Sequence, residues 1–201
     1  MLLTTTQTAD TIRDGLGRDG HEPSVFADKV VSLAHAGSLT NVGSGARYMF
    51  DQAQVEEFVA RTRFVIDLDE VRALHPDGLV YRVSVKPRQP RSAVYHVRGV
   101  TYSWVGVDFT DNPAGDDELG GWAGVWPVNR ELLAELVDER ALVYASMRDY
   151  VGPDHMRRIV DVEPVGDRYF FVTDPAPDPV REWLGSGAWI STPGGPICAL
   201  V

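Results

Sequence analysis

Leu39-Thr-Asn-Val-Gly-Ser-Gly-Ala-Arg-Tyr-Met-Phe50 is the stretch on which the reading of this chain turns. Asn41-Val-Gly-Ser-Gly45 supplies the small residues of a tight reversal, and Ala46-Arg-Tyr-Met-Phe50 reads as a short strand, so the segment is expected to form a glycine-split hairpin. Helical patterns lie on both sides of it. Upstream, Ala9, Ile12, Arg13 and Leu16 fall in an i, i+3, i+4, i+7 register that predicts a helix over Gln7 to Leu16, and Gly17-Arg-Asp-Gly20 reads as a turn. A second helix is expected over Val25 to Ala34, with Ser24 as its N-cap, Gly37 as its stop and Phe26, Val30, Leu33 and Ala34 as its buried stripe. Downstream, Asp51 is placed to cap a third helix, Gln54 to complete a capping box, and Val55, Phe58 and Val59 to face a core.

The order helix, turn, helix, hairpin, helix over Gln7 to Val59 resembles the small winged helix-turn-helix module of excisionases and MerR-like regulators. That resemblance implies double-stranded DNA as the partner, with one helix at a groove and the hairpin as the wing. Lys29, Ser32 and His35 lie opposite the apolar stripe and are the expected groove-facing residues. Arg47 beside the glycine turn is expected to reach a phosphate, with Tyr48 nearby. Two modules on one duplex would add their contacts, so a homodimer is expected.

Composition narrows the rest. The formal charge is -10 and 44% of residues are apolar, which suits an ordinary core and argues against wrapping nucleic acid over the whole surface. The cations are unevenly placed: Arg72, Arg82, Lys86, Arg88, Arg91 and Arg98 stand between residues 71 and 100 against Asp77 alone. A solvated basic loop accounts for such a block as simply as a binding surface does. No run of about 18 apolar residues is present to span a bilayer. The N-terminus lacks the basic flank and apolar core of a signal peptide, and Cys198 is the single cysteine. No membrane association, disulfide or metal site is expected, and the cytoplasm is the expected location.

A boundary is expected near residue 70, ahead of the turn His75-Pro-Asp-Gly78, dividing a module over residues 1–70 from a mainly β α+β domain over residues 71–201. Leu79 to Val85, Ala93 to Arg98, Tyr102 to Phe109, Ala123 to Val128 and Ala141 to Ala145 read as strands, with Pro87-Arg-Gln-Pro-Arg91 as a loop. Asn129 is expected to cap a helix through Glu139, Pro153 to open a short helical turn, and Ile159 to Val172 to form a hairpin. Pro179 to Leu184 reads as a helix, and Gly185 to Val201 as an irregular tail. The overall class is therefore α+β. All five tryptophans fall in the second part, where they suit half-buried core positions, a ligand cleft or a base-stacking platform.

No phosphate-binding loop, strand-associated dinucleotide fingerprint or nucleophile elbow is present. The succession Tyr81-Arg82-Val83, Val107 to Pro113, Asp138 to Tyr144 and Val151 to Ile159 resembles the order of segments in some small ADP-ribosyltransferases. That resemblance implies NAD as cofactor, with Arg82 on the dinucleotide, Thr110 on the hydroxyl-bearing strand and Glu139 stabilising positive charge on the ribose. A third alternative makes the chain a protein-protein contact module, its acidic body and basic loop orienting a charged partner.

Overall fold

The first strand hands directly into the first helix. β1 (Leu2–Thr4) ends at a residue with extended backbone whose hydroxyl accepts from the Gln7 amide, while the Gln7 side chain accepts from the Thr4 amide. This reciprocal capping box starts α1 (Thr5–Leu16) two residues ahead of its apolar register. Thr8, Ala9, Ile12 and Leu16 form its buried face. α2 (Ala27–His35) has Phe26 at its N-cap and no side-chain cap, so Ser24 does not serve that role. The later start turns Phe26 outward, 62% exposed, where a buried stripe member was expected. Val30 and Leu33 keep their inward positions, and Gly37 at φ 83° ends the helix.

The glycine-rich segment closes differently from a regular hairpin. β2 (Met49–Asp51) pairs antiparallel with β1, Leu3 opposite Phe50, and the two arms of the 41–49 loop touch through Val42 N–H to Met49 O. Asn41 Oδ1 accepts from the amides of Gly43 and Met49 and holds the reversal. α3 (Gln52–Arg61) begins where Asp51 accepts from the Ala53 amide. Gln54 does not close a capping box; it exchanges hydrogen bonds with Thr40 instead.

The computed structural model describes residues 1–109, 122–191 and 197–200, with residues 91–95 and 197–200 described by their backbone. Beyond α3 come β3 (Arg63–Val65), α4 (Asp69–Arg72), β4 (Val80–Ser84), β5 (Gln89–Val97), β6 (Val100–Val107), β7 (Trp122–Ala123), α5 (Arg130–Asp138), β8 (Leu142–Ser146), β9 (Tyr150–Val151), β10 (Met156–Val165), β11 (Arg168–Pro175), α6 (Asp178–Leu184), β12 (Ala188–Ile190) and β13 (Ile197–Leu200). Asn129 caps α5 as its sequence predicts, through Leu132 N–H. Pro153 opens a turn and no helix, with Asp154 at φ 62°. Pro87 to Arg91, expected as a loop, runs into β5. That strand lies at the end of the β5-β6-β7 sheet, where a proline removes no ladder bond. The expected irregular tail contains β12 and β13.

The protein is a mixed α+β structure. Its largest sheet has the order β11-β10-β8-β4-β13, with β4 and β8 parallel and the other pairs antiparallel. A second sheet, β3-β12-β9, joins the segment before residue 70 to the C-terminal part, with β3 parallel to β12. Alternation along this small sheet serves two cores. Val65, Val151, Ala188 and Ile190 pack with Leu142 and Tyr144 of β8. Phe64, Tyr150 and Trp189 belong to the core that also holds Ile12, Leu33 and Phe58 of the helices. One apolar core therefore crosses the boundary expected near residue 70. Among the described residues no helix is long and apolar enough to cross a membrane.

Candidate functional site

α2 has two faces with different fates. Its outer face carries Asp28, Ser32 and His35, spaced by four and three residues so that they follow one side of the helix. Ser32 turns its hydroxyl back to Asp28 O at 2.9 Å. His35 is exposed and its Nε2 is hydrogen-bonded to the Tyr48 hydroxyl, with the two rings edge to face at 5.5 Å between centroids. That contact joins the last turn of α2 to the 41–49 loop. Arg47 is exposed and makes no ion pair among the described residues.

Lys29 is turned the other way. Its Nζ lies 2.7 Å from Asp149 Oδ2 and 2.5 Å from Ser24 O, with the Trp189 ring centroid at 5.7 Å. The Lys29 side chain is 12% exposed, so this residue, expected at a groove, binds the C-terminal half of the protein. Asp149 also accepts from Arg82 at 3.3 Å. The carboxylate thus stands between two cations that are both largely withdrawn from water, where opposite charge compensates the loss of hydration. Two further contacts fasten α2 to the same side: Asp28 faces Arg148 at 3.5 Å, and Phe109 N–H donates to Ala36 O.

The hairpin between β8 and β9 aims Asp149. Met147 and Tyr150 exchange backbone hydrogen bonds, leaving Arg148 and Asp149 as a two-residue turn with φ of 53° and 77°. Positive φ at both central residues matches the twist of a tight hairpin, and aspartate tolerates that region better than most residues. Sequence reasoning missed Asp149. The available signal was an Arg-Asp pair between two apolar runs, Ala141 to Met147 and Tyr150-Val151.

Arg82 and Glu139 have different partners. Arg82 is 6% exposed on β4 and directed to Asp149, beyond the C-terminal end of β8. Glu139 follows α5, before the N-terminal end of β8, where its carbonyl is 3.2 Å from His75 Nε2. Along the parallel ladder Arg82 stands opposite Tyr144, in the middle of β8. Thr110 lies outside the described residues. His155 is the most perturbed histidine. Burial pushes its pKa down to about 4, its Nδ1 is 2.7 Å from Pro153 O and its ring meets Phe109 edge to face. Among the described residues no group of three or more His, Cys, Asp or Glu is placed to hold a metal ion.

No family model, curated protein or solved structure matches this chain. Its function is therefore argued from geometry. The tryptophans follow the structural alternative for the most part: Trp122, Trp126 and Trp189 are buried, and Trp104 and Trp183 pack partly buried against the cores.

Proposed function

We propose that the protein is a DNA-binding regulatory or recombination-accessory factor that holds duplex DNA with the outer face of α2 and the 41–49 loop. In this reading residues 1–61 act as a winged helix-turn-helix module, with the loop as wing. The observation that carries it is the His35–Tyr48 contact, which joins helix and loop into one exposed face with Arg47 at its edge. Ser32, His35 and Tyr48 supply neutral donors and acceptors for base edges or sugar, and Arg47 supplies the phosphate contact. Arg148 adds a neighbouring cation and neutralises Asp28.

Lys29 has no part in this surface, so each module offers few cations. Binding by one module is therefore weak, and a homodimer placing two modules along the duplex is part of the proposal. Few phosphate contacts also mean a shallow salt dependence, with the logarithm of affinity falling by about one unit per tenfold salt for each phosphate neutralised. The transferase alternative has no comparable observation behind it: Arg82 is bound to Asp149, and the Glu139 carbonyl faces His75.

The test is a fluorescence-anisotropy titration of labelled duplex DNA with the full chain at several salt concentrations. Arg47→Ala should weaken binding to all sequences alike and lower the salt slope by about one unit per module. Absence of binding at low salt removes the DNA reading and leaves a protein-contact module as the reading of this face.

A further inference from the structure

A groove of about 710 Å³ lies between the C-terminal end of β4, the segment leading into β5, and the start of β11. Its volume falls in the range that holds small ligands, roughly 300–1,000 Å³. Lys86 and Arg168 line it, Gln89 adds an amide, and among the described residues no Asp or Glu does. Both cations are exposed, and neither makes an ion pair among the described residues.

The walls are fixed. Lys86 O accepts from Val107 N–H and Arg88 N–H donates to Val107 O, each at 2.8 Å, which pins the backbone carrying Lys86 and Gln89 to β6. Gly106 permits that approach: at φ 107° a Cβ there would stand 2.5 Å from Lys86 O. Opposite, Trp126 and Tyr169 exchange backbone hydrogen bonds of 2.9 Å, which fixes the chain next to Arg168. Val105, Ala123, Val125 and Trp126 give it an apolar lining, and the Trp126 ring is itself buried and stacked on Phe171 at 5.4 Å between centroids. The groove thus combines an apolar lining with two cations, unpaired among the described residues, on separate segments tied by backbone hydrogen bonds.

We propose that this groove binds a small organic anion: a compound with a phosphate or carboxylate head, held by Lys86 and Arg168, and an apolar body against the lining of Val105, Val125 and Trp126. A bare inorganic anion lacks the body, and a neutral apolar compound lacks the head that makes two cations useful. The proposal is independent of the DNA-binding reading, since the groove is formed without α2 or the 41–49 loop.

Isothermal titration of the full chain with naphthyl phosphate, naphthoate and naphthylmethanol tests it. One anion should bind with one-to-one stoichiometry, and the neutral alcohol at least about tenfold more weakly. The tighter of the two anions identifies the head group. Lys86→Gln and Arg168→Gln should each lower affinity by about tenfold while the melting temperature stays unchanged, because both side chains are exposed. Failure of both anions to saturate, equal binding of the alcohol, or affinity unmoved by both substitutions would overturn the assignment.

Discussion

Lys29 and Arg47 are both cations of the N-terminal segment, and the fold treats them in opposite ways. Lys29 is 12% exposed and bound to a carboxylate from a hairpin 120 residues later. Arg47 is exposed, without an ion pair among the described residues, beside a tyrosine and a histidine that contact each other. A cation withdrawn from water with its partner in place serves the fold, because its removal leaves the partner stranded. A cation left free in a protein of net charge -10 is available to something outside it. The contrast separates a charge consumed by the fold from one the fold leaves free.

Removing Asp149 should have the largest effect. Lys29 and Arg82 would then be two like charges, 12% and 7% exposed, with no carboxylate between them, and breaking a buried pair typically costs about 3–5 kcal/mol. Asp149→Ala also forfeits a residue suited to φ 77°. Asp149→Asn retains the turn geometry and a hydrogen-bond acceptor, so it should lose less. Urea denaturation of the three proteins measures the difference. A loss below about 1 kcal/mol for Asp149→Ala would mean the cluster behaves like a surface pair. The contrast with Arg47 would then fail.

Histidines repeat the contrast between inside and outside. His35 stands exposed in the last turn of α2, whereas His155 is buried and its pKa is lowered to about 4 by loss of hydration. The neighbouring Asp154 and the carbonyls of Pro153 and Gly152 oppose that shift, and Arg157 adds to it. The folded state therefore holds the neutral ring below the pH at which the unfolded chain binds a proton. Stability from this residue is full above the unfolded value near 6.5 and is lost as pH falls toward 4, by up to about 1.4 kcal/mol per pH unit and about 3 kcal/mol in total. His155→Gln should flatten the pH dependence between 6.5 and 4, whatever it does to stability at neutral pH. An unchanged slope would place the acid sensitivity elsewhere.

Local signals were the legible ones. Asn129 caps α5, Asp51 caps α3, Gly37 ends α2, and Ala9, Ile12 and Leu16 are buried, because each depends on neighbours within a turn or two. The side to which Lys29 turns was not legible. It depends on Asp149 and Trp189, which the chain supplies far downstream and which only the pairing of β12 with β3 and β9 brings beside α2. The partner of Met49 to Asp51 was hidden for a similar reason. Glycines made a hairpin look self-sufficient, while Leu2 to Thr4 offered a longer ladder. The basic residues between 71 and 100 were visible as a block, yet folding divides them. Arg82 is buried on Asp149, Arg88 stacks over Trp104 at 4.5 Å, and Lys86 faces a groove.

Gln54 offers the smallest and most discriminating change. Its amide donates to Thr40 Oγ1 at 2.8 Å and its carbonyl accepts from the Thr40 amide at 3.1 Å, tying the start of the 41–49 loop to α3. These bonds are exposed, so Gln54→Ala should lower stability by only about 1 kcal/mol. Its local effect should be larger than its global one: the Thr40 amide loses its acceptor, and its hydrogen exchange should accelerate while the amides of α1 stay protected. Under the DNA-binding reading the substitution loosens the base of the loop and leaves Arg47 in place. Affinity should therefore fall less than in Arg47→Ala, and the salt slope should not change, because no phosphate-contacting charge is removed. A loss exceeding that of Arg47→Ala at constant slope would show that holding the loop matters more than its cation. Recognition would then rest on Ser32, His35 and Tyr48 and the shape they share.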